Sequence, residues 1–166
     1  MKIYLLRHGN ASGGYPDSER ALSPEGRLEV RALAHHLKQC GSFQPKIVWH
    51  SPFRRAVETK DILLEALNLS DLIITCRTDI TPEDNPLSLV DAFKAIEDDL
   101  LLVGHNPHLS FLSSYLLSGE RSRVQINMAT SAMLCLEWLP YSNWDEFGSC
   151  ALNWMLNPKD LCPEVE

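Results

Sequence analysis

Several things are missing from this sequence, and each absence removes a class of protein. No apolar run approaches the ~20 residues of a membrane-crossing helix, and the opening MKIYLLRHGN breaks its apolar stretch at Arg7. A secretory signal needs an apolar stretch of about 7–15 residues, so none is expected. There are five cysteines, an odd number with no Cys-x-x-Cys pair, a poor basis for a disulfide framework or a zinc site. Cys135 (AMLCLEW) and Cys150 (GSCAL) lie in apolar surroundings, where cysteine behaves as a small buried hydrophobe. The expected compartment is therefore a reducing cytoplasm. A basic excess is also missing: 15 Lys and Arg stand against 22 Asp and Glu, for a net charge of −7. That balance argues against a nucleic-acid partner, which would call for a basic face, and nothing points to a membrane partner.

The marks of several catalytic machineries are absent too. No cysteine is followed six residues later by arginine, and no two aspartates are spaced as Asp-x-Asp. This removes the thiol-nucleophile loop and the aspartyl-phosphate motif. Neither G-x₄-G-K-[ST] nor G-x-G-x-x-G occurs, so the common nucleotide cradles are missing as well.

What remains is an ordinary globular composition, 45% hydrophobic and 22% charged over 166 residues. It suits one domain spanning 1–166, with a core that needs no staples, and is too short for a (β/α)₈ barrel. Short apolar runs at Lys2–Leu6, Lys46–Trp49, Leu72–Cys76 and Leu100–Val103 suggest strands. Helical patterns separate them. One starts at Ser23-Pro24 with Leu28, Ala32, Leu33, His36 and Leu37 on one face and stops near Gly41. A second starts at Ser51-Pro52 and runs to Leu67; others cover Leu87–Asp98 and Pro107–Leu117. Met133–Trp138 and Cys150–Met155 suggest two further strands around a Pro140–Gly148 loop. The expected fold is α/β, a three-layer α/β/α sandwich whose mainly parallel sheet carries an antiparallel C-terminal strand.

Ligands of such sheets bind outside the carboxyl ends of the strands, so the residues after each strand carry the functional signal. They are Arg7-His8-Gly9-Asn10, then His50-Ser51-Pro52-Phe53-Arg54-Arg55, then Gly104-His105-Asn106-Pro107. Histidines and arginines converge there, a cationic pocket in an acidic protein. A phosphate-type anion suits it, because guanidinium forks bind phosphoryl oxygens in pairs. Helix N-termini near Ser51 and Asn106 are expected to add backbone N–H donors. A histidine between arginines has its cationic form disfavoured, and a neutral imidazole is the nucleophilic form.

LLRHGNA, SPFRRAVET and VGHNP are similar to the three signatures of the histidine phosphatase (phosphoglycerate mutase-like) superfamily. The short length, Thr81-Pro82, Thr130-Ser131-Ala132 and the ending Asn153-Trp154…Asn157-Pro158 further resemble its SixA-type phosphohistidine phosphatases. The resemblance implies that His8 is the phosphorylated nucleophile, that Arg7 and Arg55 bind the phosphoryl group and that His105 bonds it in the transition state. It implies no metal and no cofactor. Asn10 and Asn106 are pocket-lining candidates for phosphate binding. Larger members use an acid to protonate the leaving oxygen, and Glu83 and Asp84 are the candidate proton donors here. An imidazole leaving group needs that acid less, its conjugate acid having a pKa of roughly 6.5. The expected substrate is thus a phosphohistidine-bearing protein domain of a His–Asp relay. A small-molecule phosphomonoesterase using the same site stands as the alternative, and a non-catalytic phosphate-binding module as a third reading.

Overall fold

The computed structural model describes residues 1–139 and 148–161. Six strands form one sheet: β1 (Lys2–Arg7), β2 (Ile47–His50), β3 (Ile73–Cys76), β4 (Leu100–Gly104), β5 (Met133–Trp138) and β6 (Cys150–Leu156). Their order across the sheet is β3-β2-β4-β1-β5-β6. β1, β2, β3 and β4 are mutually parallel, and β5 runs antiparallel to both of its neighbours. The helices are α1 (Pro24–Cys40), α2 (Arg54–Leu67), α3 (Val90–Lys94), α4 (His108–Ser118) and α5 (Pro158–Leu161). This is the expected three-layer α/β architecture. The turn expected at Pro140–Gly148 lies, apart from Gly148, outside the described residues.

Strand alternation builds the three layers. Ile3, Leu5, Leu100, Leu102, Leu134 and Leu136 point into one core with Phe93, Leu109, Leu112 and Leu116. Their neighbours Tyr4, Leu6, Leu101, Val103, Met133 and Cys135 point into the other, with Val30, Leu33, Leu37 and Leu63. Because side chains along a strand alternate between faces, a fully apolar strand must be covered on both sides. α1 and α2 cover one side; α3 and α4 cover the other.

Some details depart from the sequence expectation. α1 begins as anticipated, with Ser23 Oγ accepting from Gly26 N at 3.0 Å and Pro24 in the first turn. Such a cap contributes about 1 kcal/mol. Its buried stripe, however, is Gly26, Glu29, Val30, Leu33, Ala34 and Leu37, while Leu28 is exposed. α2 does not start on Ser51-Pro52: Phe53 is its N-cap and makes no side-chain cap bond. Ser51 Oγ instead bonds the His105 ring. The helix expected over Leu87–Asp98 is a 3₁₀ turn at Pro86–Leu89 followed by the five-residue α3. Asp99 accounts for the early stop. Its side chain accepts from Lys2 N at 2.7 Å and its carbonyl from Lys46 N at 2.9 Å, which draws the chain out straight into β4.

The segment after β1 is pressed against the first turn of α1. A Cβ on Gly26 would collide with the backbone of Asn10, and one on Gly9 would crowd the Gly26 carbonyl and Leu22. Gly26→Ala should therefore cost about 1–3 kcal/mol or more by overpacking. Gly41→Ala meets open space but sits at φ +66°, and should cost only about 1–2 kcal/mol through backbone conformation. Chemical denaturation of the two variants checks this order.

Candidate active site

Strand register brings the three signature segments together. Arg7 pairs with Gly104 across β1 and β4, and His50 pairs with Val103 across β2 and β4. β4 is inserted between β1 and β2, so the residues that follow all three strands emerge side by side where the strand order reverses, the expected binding crevice.

His8 lies at the centre, 9% exposed. Its Nδ1 is 2.7 Å from the Gly9 carbonyl. A carbonyl can only accept, so Nδ1 carries the proton and the lone pair of the neutral ring resides on Nε2. Consistently, Arg55 Nε donates to His8 Nε2 at 3.1 Å. His8 is pushed down to about 4, first by burial, then by the nearby charges of Arg55, Arg7 and Arg20; the Gly9 carbonyl opposes the shift. The direction matches the sequence argument, but desolvation leads and the arginines follow.

His105, 1% exposed, places its ring centroid 4.9 Å from that of His8. Its Nε2 lies 2.7 Å from Ser51 Oγ, and the Phe53 ring packs against it at 5.0 Å. Burial and the charges of His8, Arg55 and His108 lower it to about 2. Both histidines are therefore neutral over the physiological range. Ser51 thus serves to fix a ring in the site rather than to start a helix.

The two arginines expected to bind phosphate are held differently. Arg55, 4% exposed, packs against the Phe53 ring and donates through Nη1 and Nη2 to the carbonyl and carboxylate of Asp17 at 2.7 and 2.9 Å. Glu58, three residues further along α2, is engaged elsewhere. That carboxylate binds Arg54, Arg27 and the backbone of Leu22. Arg7 donates from Nη1 to the Met128 carbonyl at 2.7 Å. Arg7 Nε and His105 Nδ1 have no hydrogen-bond partner among the described residues, so both side chains retain bonding capacity that the fold does not use.

The weaker candidates sit around this centre. Asn106 Nδ2 donates to the same Met128 carbonyl as Arg7. It lies just before α4, whose N-cap is Pro107. Asn10 is engaged with the α1 cap, its Oδ1 accepting from Ser23 Oγ at 2.8 Å. Asp84 Oδ2 accepts from Thr81 N at 2.7 Å and its charge acts on His108, while Glu83 is exposed on the same loop. His50 and His108 are both buried beside the pocket, and His50 Nδ1 bonds the Ser51 carbonyl.

Other contributors were invisible in the motifs. Thr59 Oγ1 accepts from Gly9 N at 3.0 Å and donates to the Arg55 carbonyl, tying the two signature segments. Buried Glu29 accepts from Thr130 and Ser131, and Ser131 N donates to the His8 carbonyl. Asp17, Glu29 and the Met128 carbonyl are far in sequence from the site residues they bond, Arg55, Ser131 and Arg7. No local spacing signal marks them.

Residues 3–78 match the family model of the histidine phosphatase superfamily (branch 1). None of the curated proteins matches the chain in sequence. Among solved structures, the chain is similar to the protein histidine phosphatase SixA in complex with tungstate. The two are 27% identical, with a TM-score of 0.81, over 98% of this chain and 100% of that one. A SixA from Agrobacterium tumefaciens shares the fold at 22% identity and TM-score 0.77, over 95% of this chain and 97% of that one. A mycobacterial glucosyl-3-phosphoglycerate phosphatase shares it at 16% identity and TM-score 0.63, over 92% and 96%. Residues 3–78 thus match the histidine phosphatase superfamily, and the chain is SixA-like in structure over its length. No helix among its described residues is long and apolar enough to cross a membrane.

The electrostatics give a direct test. Because the folded state lowers the His8 pKa to about 4, His8 should be neutral at pH 6 and gain its proton only as the pH falls through that value. Nitrogen-detected NMR of the imidazole should show a protonated Nδ1 and an acceptor Nε2 from pH 5 upward. A midpoint near the ordinary 6.5 would contradict the geometry.

Proposed function

We propose that the protein is a metal-independent phosphatase that acts on phosphohistidine in proteins through a phosphohistidine intermediate of its own, on His8. The observation that carries this reading is the chain of bonds Arg55 Nε→His8 Nε2 and His8 Nδ1→Gly9 carbonyl. It leaves one nitrogen lone pair, on Nε2, aimed at the guanidinium that would hold the phosphoryl group.

When a phosphoryl group enters, Arg55 transfers its Nε–H bond to a phosphoryl oxygen and frees the lone pair. His8 Nε2 forms a bond to phosphorus in line with the departing group, and the bond from phosphorus to that group breaks with its electron pair. Arg7, Arg55 and His105 bracket the charge that builds on the phosphoryl oxygens. The proton stays on Nδ1, hydrogen-bonded to the Gly9 carbonyl, which supports the positive ring. Water then attacks phosphorus from the opposite side and releases phosphate, with His8 neutral again.

A phosphohistidine substrate fits better than an ester. Its leaving imidazole tolerates departure without a strong acid, and Asp84 is already engaged with Thr81 N. Likeness to the protein histidine phosphatase SixA along the whole chain, and tungstate, a tetrahedral oxyanion, bound to that protein, support the same reading. Residues between Arg55 and His105 are taken up by α2, β3, α3, β4 and their links, with no sizeable lid, so a histidine on the surface of a phosphotransfer domain would have access. Cytoplasmic residence is part of this proposal, since phosphorelay domains work there.

Turnover of a histidine-phosphorylated phosphotransfer domain, set beside p-nitrophenyl phosphate and sugar phosphates, tests the reading. The phosphoprotein should be hydrolysed with the highest kcat/KM, unaffected by EDTA. His8→Ala should lose at least about a thousandfold. Glu83→Gln and Asp84→Asn should each stay within about threefold on the phosphoprotein. Preference for a sugar phosphate, with a large loss in either acid variant, would favour the monoesterase alternative instead.

A further inference from the structure

We propose that Asp17 is a positioning residue for phosphoryl transfer, its carboxylate and carbonyl holding the Arg55 guanidinium so that Nε stays aimed at His8 Nε2. This rests on His8 as nucleophile, and not on phosphohistidine as substrate.

The geometry is specific. Arg55 donates to three acceptors: the Asp17 carbonyl from Nη1 at 2.7 Å, Asp17 Oδ2 from Nη2 at 2.9 Å, and His8 Nε2 from Nε at 3.1 Å. Asp17 thus engages the terminal nitrogens of a rigid planar fork, which fixes the direction of Nε. A guanidinium has five N–H groups, so further donors remain for phosphoryl oxygens. Asp17 is itself clamped. Its Oδ1 accepts from Arg20 Nη1 at 2.8 Å, and Arg20 Nε donates to the Ser12 carbonyl at 2.8 Å. The result is a strap from Ser12 through Arg20 and Asp17 to Arg55 and His8.

Nothing in the core requires this carboxylate. Asp17 lies on a short 3₁₀ turn, Asp17–Glu19, that buries no residue, and its side chain is 55% exposed. Arg55, by contrast, is a buried cation, and the carboxylate bonded to it among the described residues is Asp17, since Glu58 is held by Arg54, Arg27 and Leu22 N. Proton donation is not the role. Hydrogen bonds from Arg20 and Arg55 hold Asp17 below the ordinary carboxylate range, so it is ionised wherever the histidines are neutral.

The charged and titratable groups facing His8 are Arg55 from α2, Arg7 from β1, Arg20 from the strap and His105 after β4. Two effects of removing Asp17 therefore oppose each other. Loss of its negative charge alone would lower the His8 pKa. Release of Arg55 from His8 Nε2 would raise it, because that cation and its hydrogen bond favour the neutral ring. If Asp17 holds Arg55 in place, release dominates.

The experiment compares Asp17→Ala, Asp17→Asn and Arg20→Ala with the wild type, by steady-state hydrolysis of p-nitrophenyl phosphate and by NMR titration of His8. Asp17→Ala should lower kcat about 10- to 100-fold with KM within about threefold, and move the His8 midpoint up from about 4. Asp17→Asn, whose amide oxygen can still accept from Nη2, should recover part of the rate. Arg20→Ala should lose less than Asp17→Ala. Unfolding temperatures of the Asp17 variants should fall by several degrees, because the buried Arg55 loses its carboxylate, and stay well above the assay temperature. A kcat within threefold of wild type, or a His8 midpoint that falls or stays put in Asp17→Ala, would overturn the proposal. The titration needs no substrate, so it stands even if the phosphohistidine assay fails.

Discussion

The Gly9 carbonyl, 2.7 Å from His8 Nδ1, is the constraint on which the rest of this site depends. An imidazole has two nitrogens, and its chemistry is decided by which one keeps the lone pair. Here a backbone acceptor fixes the choice, and burial keeps the ring neutral so that there is a lone pair to fix. The acceptor is in place because Gly9 packs on Gly26 and its N–H bonds Thr59. These contacts in turn require the β1–α1 junction and α2 to meet. The sheet register, the two glycines and one threonine hydroxyl therefore converge on the protonation pattern of a single side chain.

Charge is organised on two scales. The whole chain carries −7, while Arg7, Arg55 and Arg20 gather around two neutral histidines. Acidic residues sit behind this cluster rather than in it: Asp17 on the terminal nitrogens of Arg55, and Glu29 under the Thr130–Ser131 segment. Such carboxylates offset the cost of burying guanidinium groups without neutralising the face offered to a phosphoryl dianion. The same cluster explains why a phosphate-type anion suits the pocket when the protein as a whole is acidic.

Much of this was legible in the sequence, and the parts that were not share a physical cause. Lys2–Leu6, Lys46–Trp49 and Leu100–Val103 announce parallel strands because both faces of β1, β2 and β4 are buried, which makes the run continuous; Leu72–Cys76 is legible from its β-branched residues alone, since β3 is exposed at the sheet edge. His8, Arg7, Arg55 and His105 were legible because each lies within a few residues of a strand end. Ser51 was misread as a cap: a Ser-Pro pair suits a helix start, but the hydroxyl here has a stronger use on His105. Leu28 fitted the helical period yet faces solvent, since the covered stripe of α1 is turned toward Val30 and Ala34. Asp17, Glu29 and the Met128 carbonyl could not be seen at all. Each acts on residues brought near only by the folded sheet, and one of them is a backbone atom with no side-chain identity.

The central claim, covalent catalysis by His8, is tested most directly by trapping. Mixing the enzyme with a ³²P-labelled phosphoryl donor, quenching within one turnover and mapping the labelled peptide should place an acid-labile, base-stable phosphate on His8, with none in His8→Asn. Turnover with no label on His8, or label persisting in His8→Asn, would contradict the account.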